Sequence, residues 1–445
     1  MTAKSKATAL ITVTLIVGAT LYIYTSRCRA ICTKVFWKEA TTSELDQVIA
    51  NAFVDARNPE GDTPLHYAAE YGTSEHIKLL LAAGAELNAE NTRGQTPLHR
   101  AAASGRPENI EILLNAGANL FAEDLDIGTP LHRAATDGNP STIATLVSAG
   151  IDIDARNWSN STPLQAAISN ANFENAKFLV ASGANLNARD QWGYTPLLDA
   201  ASPHRHGSRG RTEIIELLLQ AGVEVDAKNQ DGNTALLLLF DDEFADLGDH
   251  DAVSGQELDY ERSQSLHALV DAGADVNAQN VTGEAAIHRA AEIGTPEAIL
   301  SLVEVGAKVN LRDEEQRTPL HKALGRSNSE NIKVLLAGGA DPNARDEKGD
   351  TPLHYVAREP SRESILALLD AGAKVNAQND AGDTPLHVAV SSVSPGMITA
   401  LLEAGADVTV KNTNGETAWR IARDNDALME TGMDAYNLLK DASLK

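Results

Sequence analysis

Short apolar runs alternate with polar turns along most of this chain, and the alternation keeps a fixed period. In GDTPLHYAAEYG, residues 61–72, the apolar positions Leu65, Ala68 and Ala69 fall at the spacing of one helix face. Thr63 is a suitable N-cap whose hydroxyl can take an orphan amide, and Pro64 suits the first helical position because its missing N–H costs nothing there. Gly72 suits a left-handed stop. A second apolar run, HIKLLLAAG, ends at Gly84 with the same signal, and the polar stretch NAENTRGQ favours a tight turn. The next copy, GQTPLHRAAASG, begins 33 residues after the first. The predicted unit is therefore helix, turn, helix and hairpin-like finger.

The Thr-Pro-Leu-His position recurs, in full or in worn form, at residues 63, 96, 129, 162, 195, 234, 285, 318, 351, 384 and 417. A Gly-Ala glycine, or its equivalent at Gly150 and Gly222, follows each of the first ten anchors, 21 residues later except in the fifth and sixth units, where the distances are 27 and 39. From that glycine to the next anchor is always 12 residues, so all the inserted length lies between anchor and glycine of two units. Two short helices cannot bury enough apolar area to order themselves, and stacked copies supply the missing surface.

With Thr-Pro-Leu-His or Ala-Ala-Ile-His at seven anchors, the Gly-Ala glycines, and NAR, NAQ or DAK at unit ends, the chain resembles the ankyrin repeat family from about residue 34 to 440. That resemblance implies an all-α solenoid of stacked helix-turn-helix units, with inner helices and finger loops forming a concave surface that binds protein. Departures are Gln165, Leu198 and the TALL of the sixth unit at the anchor, and Ile127, Asn160 and Gln316 where a finger glycine usually stands. The expected organisation is a degenerate N-terminal capping repeat over 31–57, the solenoid over 58–411 with enlarged loops at 202–211 and 241–261, and a C-terminal capping repeat over 412–445. Arg420, Arg423, Asp424 and Asp426 let that last repeat face water.

Residues 1–30 differ in kind. Ala7 to Ser26 carries no charge, and such a run makes a helix about 30 Å long, one bilayer core. Lys4 and Lys6 precede it, and Arg27, Arg29, Lys34 and Lys38 follow. This is the pattern of a membrane anchor or of a cleaved secretory signal, and the missing A-x-A site favours the anchor. The alternatives are a membrane-anchored and a secreted or periplasmic product.

Net charge is -25, which repels phosphate backbones and argues against nucleic acid as a partner. Cys28 and Cys32 are the only cysteines, so the repeats hold no disulfide framework or thiolate cage. No glycine-rich phosphate loop, G-x-S-x-G or H-E-x-x-H occurs, so no catalytic residues are expected. Seven of the twelve histidines, His66, His99, His132, His288, His321, His354 and His387, occupy the anchor and read as structural. The basic loop SPHRHGSRGR at 202–211 and the acidic loop at 241–261 suggest a charged clasp, or more remotely a metal site from His204, His206 and His250 with Asp249 or Asp251. Neither metal nor cofactor is expected.

The residue after each anchor histidine is expected to face the groove. That column begins Tyr67, Arg100 and Arg133, a local reversal of sign on an acidic chain, and a second group is Arg289, Lys322 and Tyr355. Finger tips add Trp158, Trp192 and Tyr194. Exposed aromatics and arginine are the types enriched at binding hot spots. The expectation is a monomeric, non-enzymatic protein-interaction scaffold binding a protein through Tyr67, Arg100, Arg133, Trp158, Trp192 and Tyr194. A secreted effector acting on host proteins would share that mechanism, whereas a metal-dependent protein built on the large loops would not.

Overall fold

The computed structural model describes residues 34–39, 54–203, 211–241, 255–325, 328–358, 361–423, 425, 428 and 432–444. Residues 1–30, most of 31–57, the interiors of both insertions (204–210 and 242–254) and the histidines and aspartates of the metal reading lie outside the described residues. Among the described residues no helix is long and apolar enough to cross a membrane. The chain divides into two compact units, Met1–Asp199 and Ala200–Lys445.

The first unit stacks four complete helix pairs: Pro64–Tyr71 with Ser74–Ala82, Pro97–Ala103 with Pro107–Asn115, Pro130–Asp137 with Pro140–Ser148, and Pro163–Ser169 with Phe173–Ala181. Leu65, Leu98, Leu131 and Leu164 from the first helices and Ile77, Ile110 and Ile143 from the second are fully buried. Ala68, Ala69 and their counterparts Ala101, Ala102, Ala134 and Ala135 are buried between them, small enough for neighbouring first helices to approach closely. An additional helix, Lys34–Glu39, packs on Pro64–Tyr71. Its Trp37 is buried edge-on to His76, with ring centroids 5.7 Å apart.

The second unit repeats the scheme. Its pairs include Ala286–Ile293 with Pro296–Glu304, Pro319–Gly325 with Ser329–Ala337, Pro352–Arg358 with Arg362–Asp370, and Pro385–Ser391 with Pro395–Glu403. The terminal pair is Ala418–Arg423 with Met433–Ser443, where Trp419 and Tyr436 rings meet at 5.1 Å. Residues 255–261, expected in an enlarged loop, instead begin the 17-residue helix Gly255–Asp271. The helix is held at its side by the Arg262 guanidinium, 5.6 Å from the Phe240 ring centre, and by Thr212 Oγ1 bonded to Ser265 Oγ at 3.0 Å. Likewise Arg211, at the end of the other insertion, opens the helix Arg211–Gln220.

Repeats are joined by the anchor histidine. In His66, Nδ1 accepts from the Thr63 amide at 3.1 Å and lies 2.9 Å from the Thr63 hydroxyl, while Nε2 faces the Gln95 carbonyl at 2.8 Å. An amide can only donate and a carbonyl only accept, so the ring is the neutral Nε2–H tautomer and the threonine hydroxyl also donates to Nδ1. Threonine and histidine thus cap the helix reciprocally, the Thr63 side chain facing the His66 amide while the His66 ring takes the Thr63 amide. His99, His132, His321, His354 and His387 each reach a carbonyl 29 residues ahead in the same way. His288 reaches the Leu311 carbonyl. Gln165 reproduces the arrangement without a titratable group: Oε1 accepts from the Thr162 amide at 3.1 Å and Nε2 donates to the Tyr194 carbonyl at 3.0 Å.

Two glycine expectations change. Gly72 has φ of -80° and is not left-handed; a Cβ there would sit 2.7 Å from the Ala68 carbonyl oxygen, so close approach requires the glycine. The absent finger glycines at 160 and 316 are met by Asn160 and Gln316 in the left-handed region, both with φ of 60°. At Ile127 the turn is rebuilt, with the positive φ moved to Gly128 and the Asp124 carboxylate accepting the amides of Asp126, Ile127 and Gly128.

Burial pushes His66, His99, His132 and His321 from the ordinary 6.5 down to about 4, and lowers His288 and His354 as well. The unfolded chain takes these protons near pH 6.5 and the folded chain only near 4, so their stabilisation is complete above the first value and is lost as pH falls towards the second. Each histidine contributes a slope of at most about 1.4 kcal/mol per pH unit in that window. Replacing His66, His99 and His132 with Gln is expected to preserve the urea midpoint at pH 7.5 and to flatten its decline between pH 6.5 and 4.5. An unchanged decline would refute the assignment of these rings as neutral donors.

Candidate functional site

In the first unit the column after the anchor histidine enters a groove of about 280 Å³ lined by Glu70, Gln95, His99, Arg100, Arg133 and Asp137. Arg100 reaches Asp62 and Glu70, each at 3.0 Å. Arg133, 14% exposed, reaches Asp124 at 2.7 Å and Asp137 at 3.3 Å. The expected reversal of sign is therefore cancelled where it arises, because each guanidinium spends its charge on carboxylates from its own or a neighbouring repeat. Burial opposes the charged form of Asp124, yet the Gly128 and Ile127 amides and the Arg133 guanidinium outweigh it and bring the carboxyl down to about 2. Tyr67 is half-buried, its hydroxyl accepting from Asn58 Nδ2 at 3.2 Å and its ring beside Tyr71.

The column does not face outward throughout. Asp199 and Leu238 are fully buried and Val388 nearly so. In the second unit Arg289 pairs with Asp241 and Glu284, Lys322 with Glu284 and Glu292, and the Tyr355 hydroxyl donates to Asp346 at 2.8 Å. These groups hold their repeats in the manner of Arg100 and Arg133. Among the described residues no group of three or more metal-ligating side chains is assembled.

The finger tips are different. Trp158 is 61% exposed, and its Nε1 donates to the Asp126 carbonyl of the preceding finger at 3.4 Å, which fixes the indole's direction. Trp192 is 44% exposed, whereas Tyr194 is half-buried. The Asp190 carboxylate accepts both of their backbone amides, at 2.9 and 2.8 Å, and so sets the shape of that finger. The structure adds two residues that sequence reasoning alone passes over. Leu125, 72% exposed, holds the same finger position as Trp158 one repeat earlier.

Phe121, 66% exposed, breaks a rule kept by its counterparts. Asn88, Asp154, Asn277, Asn310, Asn343 and Asn376 each accept an amide 31 residues ahead. A phenyl ring cannot accept that bond. Aligning the repeats on one another exposes both residues, since each replaces a polar side chain in most other copies.

The period and the fold agree with the family models that match the chain. The model described as Ankyrin repeats (3 copies) matches residues 40–124, 119–190, 250–346 and 326–412, and the model described as Ankyrin repeat matches residues 192–230, together well over half of the sequence. No curated protein matches the chain.

The geometry separates side chains that hold the fold from side chains that are exposed at the finger tips. Arg133→Ala leaves the buried Asp124 carboxylate without its cation and is expected to cost about 3–5 kcal/mol, whereas Trp158→Ala is expected to stay within about 0.5 kcal/mol. Urea unfolding of the two variants at pH 7.5 checks this, and equal losses would contradict the division.

Proposed function

The chain belongs to the ankyrin repeat family, and from that premise we propose that it holds a protein partner on the first-unit fingers and is itself held at a membrane by residues 1–30. Ankyrin repeats are protein–protein interaction scaffolds and are generally non-enzymatic. The observation that supports this particular surface is the exposure of Trp158 and Trp192 on fingers whose backbones are locked by Asn157 and Asp190. Large aromatic side chains on a fixed support lose little freedom on binding and bury much apolar area. Tyr194 supports the base of the same finger. Tyr67, Arg100 and Arg133 follow the anchor histidines of the first three repeats, where the two arginines keep the supporting carboxylates in place and offer a partner only their remaining exposed edges.

The membrane reading rests on the uncharged run from Ala7 to Ser26 and on the basic residues at both of its ends. Retention of that run would place the repeats beside the bilayer surface and restrict partners to those that reach it.

A photo-crosslinking residue placed at 158 of the full-length protein in intact cells is expected to give a discrete protein adduct, and one placed at the exposed helix position 111 is expected to give none. The adduct should fall at least tenfold when Trp192 and Tyr194 are both replaced with Ala. Equal adducts from 158 and 111 would rule out the finger site. Separately, the full-length protein is expected to stay in the membrane pellet after a carbonate wash; a soluble product beginning near residue 28 to 31 would show cleavage and end the anchor reading.

A further inference from the structure

The spacing of the exposed apolar tips says what shape of partner they fit. Leu125 and Trp158 stand at one finger position in successive repeats, and Trp192 stands one residue further along the next finger. The fingers lie side by side under direct restraint. Each is closed by a backbone bond across its base, from the Asp124 amide to the Gly128 carbonyl at 2.9 Å, Asn157 to Ser161 at 3.1 Å and Asp190 to Tyr194 at 3.0 Å. Each is also tied to its neighbour: the Leu125 amide donates to the Arg93 carbonyl at 2.8 Å, Asn157 Nδ2 to the Ile127 carbonyl at 2.7 Å, and the Gln191 amide to the Ser159 carbonyl at 3.0 Å.

A finger is thus two chain widths across. At about 4.8 Å per hydrogen-bonded chain, successive tips repeat roughly every 10 Å.

An α-helix rises 1.5 Å per residue and returns to nearly the same face after two turns, so side chains seven apart are about 10.5 Å apart on one side. An extended strand covers about 10 Å in three residues, which turns the third side chain to the opposite face. A helix laid across the fingers therefore meets every tip in phase, and a strand does not. Charge adds a second condition. Residues 54–199 carry 18 acidic and nine basic side chains, and the basic Arg93 at the neighbouring tip is already engaged by Asp126 at 3.5 Å.

Building on the finger site proposed above, we propose that the occupant of Leu125, Trp158 and Trp192 is an amphipathic α-helix of a partner protein, with apolar residues at i, i+7 and i+14 and an excess of Lys and Arg on its flanks. It docks across the fingers, its apolar side chains on the three tips and its basic flanks towards the acidic surface around them.

Display of fully randomised 24-residue peptides, selected on the full-length protein, tests this with no natural partner in hand. The expected binders lose at least tenfold affinity for the Trp158→Ala/Trp192→Ala variant, retain it for Trp158→Phe, carry apolar residues seven apart with net positive charge, and lose binding when a central residue is replaced by Pro. A melting curve of the double variant matching that of the parent protein shows that the loss is local. Binders that depend on the tips but place apolar residues at alternate positions and tolerate Pro would overturn the helix while leaving the finger site in place. Binders indifferent to the tips, or none at all, would overturn both.

Discussion

Eight of the repeats depend on one planar side chain, seven histidines and Gln165, that accepts on one edge and donates from the other. The amide at the anchor and the carbonyl ahead of the next anchor are both backbone groups, and an unpaired one that is buried costs about 1–3 kcal/mol. A single helix pair contains only one of the two, because the carbonyl lies 29 residues on, in the following copy. The bond that completes one repeat therefore belongs to its neighbour, and this is the physical content of the stacking. Gln165 shows that imidazole chemistry is not what is needed, since an amide with the same polarity fits the same place. Leu198 and Leu237 cannot make the bond, and they occupy the two repeats whose anchor-to-glycine distance is enlarged. There the anchor threonine hydroxyl takes the leucine amide at 3.4 Å, a local cap that makes no demand on the chain ahead.

The period, the buried leucines and the order of helices were legible because each follows from apolar spacing and from threonine, proline and glycine at fixed offsets. What the sequence concealed were partners from elsewhere in the chain. Arg100 read alone is a cation facing a groove; Asp62, 38 residues earlier, and Glu70, 30 residues earlier, make it a structural tie. The role of Gly72 is hidden for a related reason, because its need is set by the carbonyl at Ala68 and not by its own dihedral angles.

A repeated chain carries an alignment of itself, and this makes its exceptions interpretable. When six counterparts of Phe121 use an amide or carboxylate oxygen to receive a backbone amide, an exposed phenyl ring at that position has given up a structural bond. Departures of this kind mark places where function competes with the fold. Leu125, Trp158 and Trp192 add exposed apolar area within the same unit, whereas the corresponding fingers of the second unit carry Glu314, Glu347 and Asp380 after Val281.

Two kinds of polar tie hold these repeats, and they answer acid differently. The histidine bonds require neutral rings, and protonation would place a proton on Nδ1 against an amide that also donates. The ion pairs Arg133–Asp124 and Arg358–Asp350 require charged carboxylates, and Asp124 keeps its charge down to about pH 2, while Asp350 is also lowered below the usual 3.8 because hydrogen bonds from Asn379 and Arg358 outweigh its burial. For these carboxylates the stabilisation is present above the ordinary carboxylate range and is lost only as pH falls through the depressed values. Moderate acid therefore attacks the links from one repeat to the next while these paired carboxylates keep their charge. The contacts that complete each copy through its neighbour therefore weaken before Asp124 and Asp350 lose the charge that holds Arg133 and Arg358.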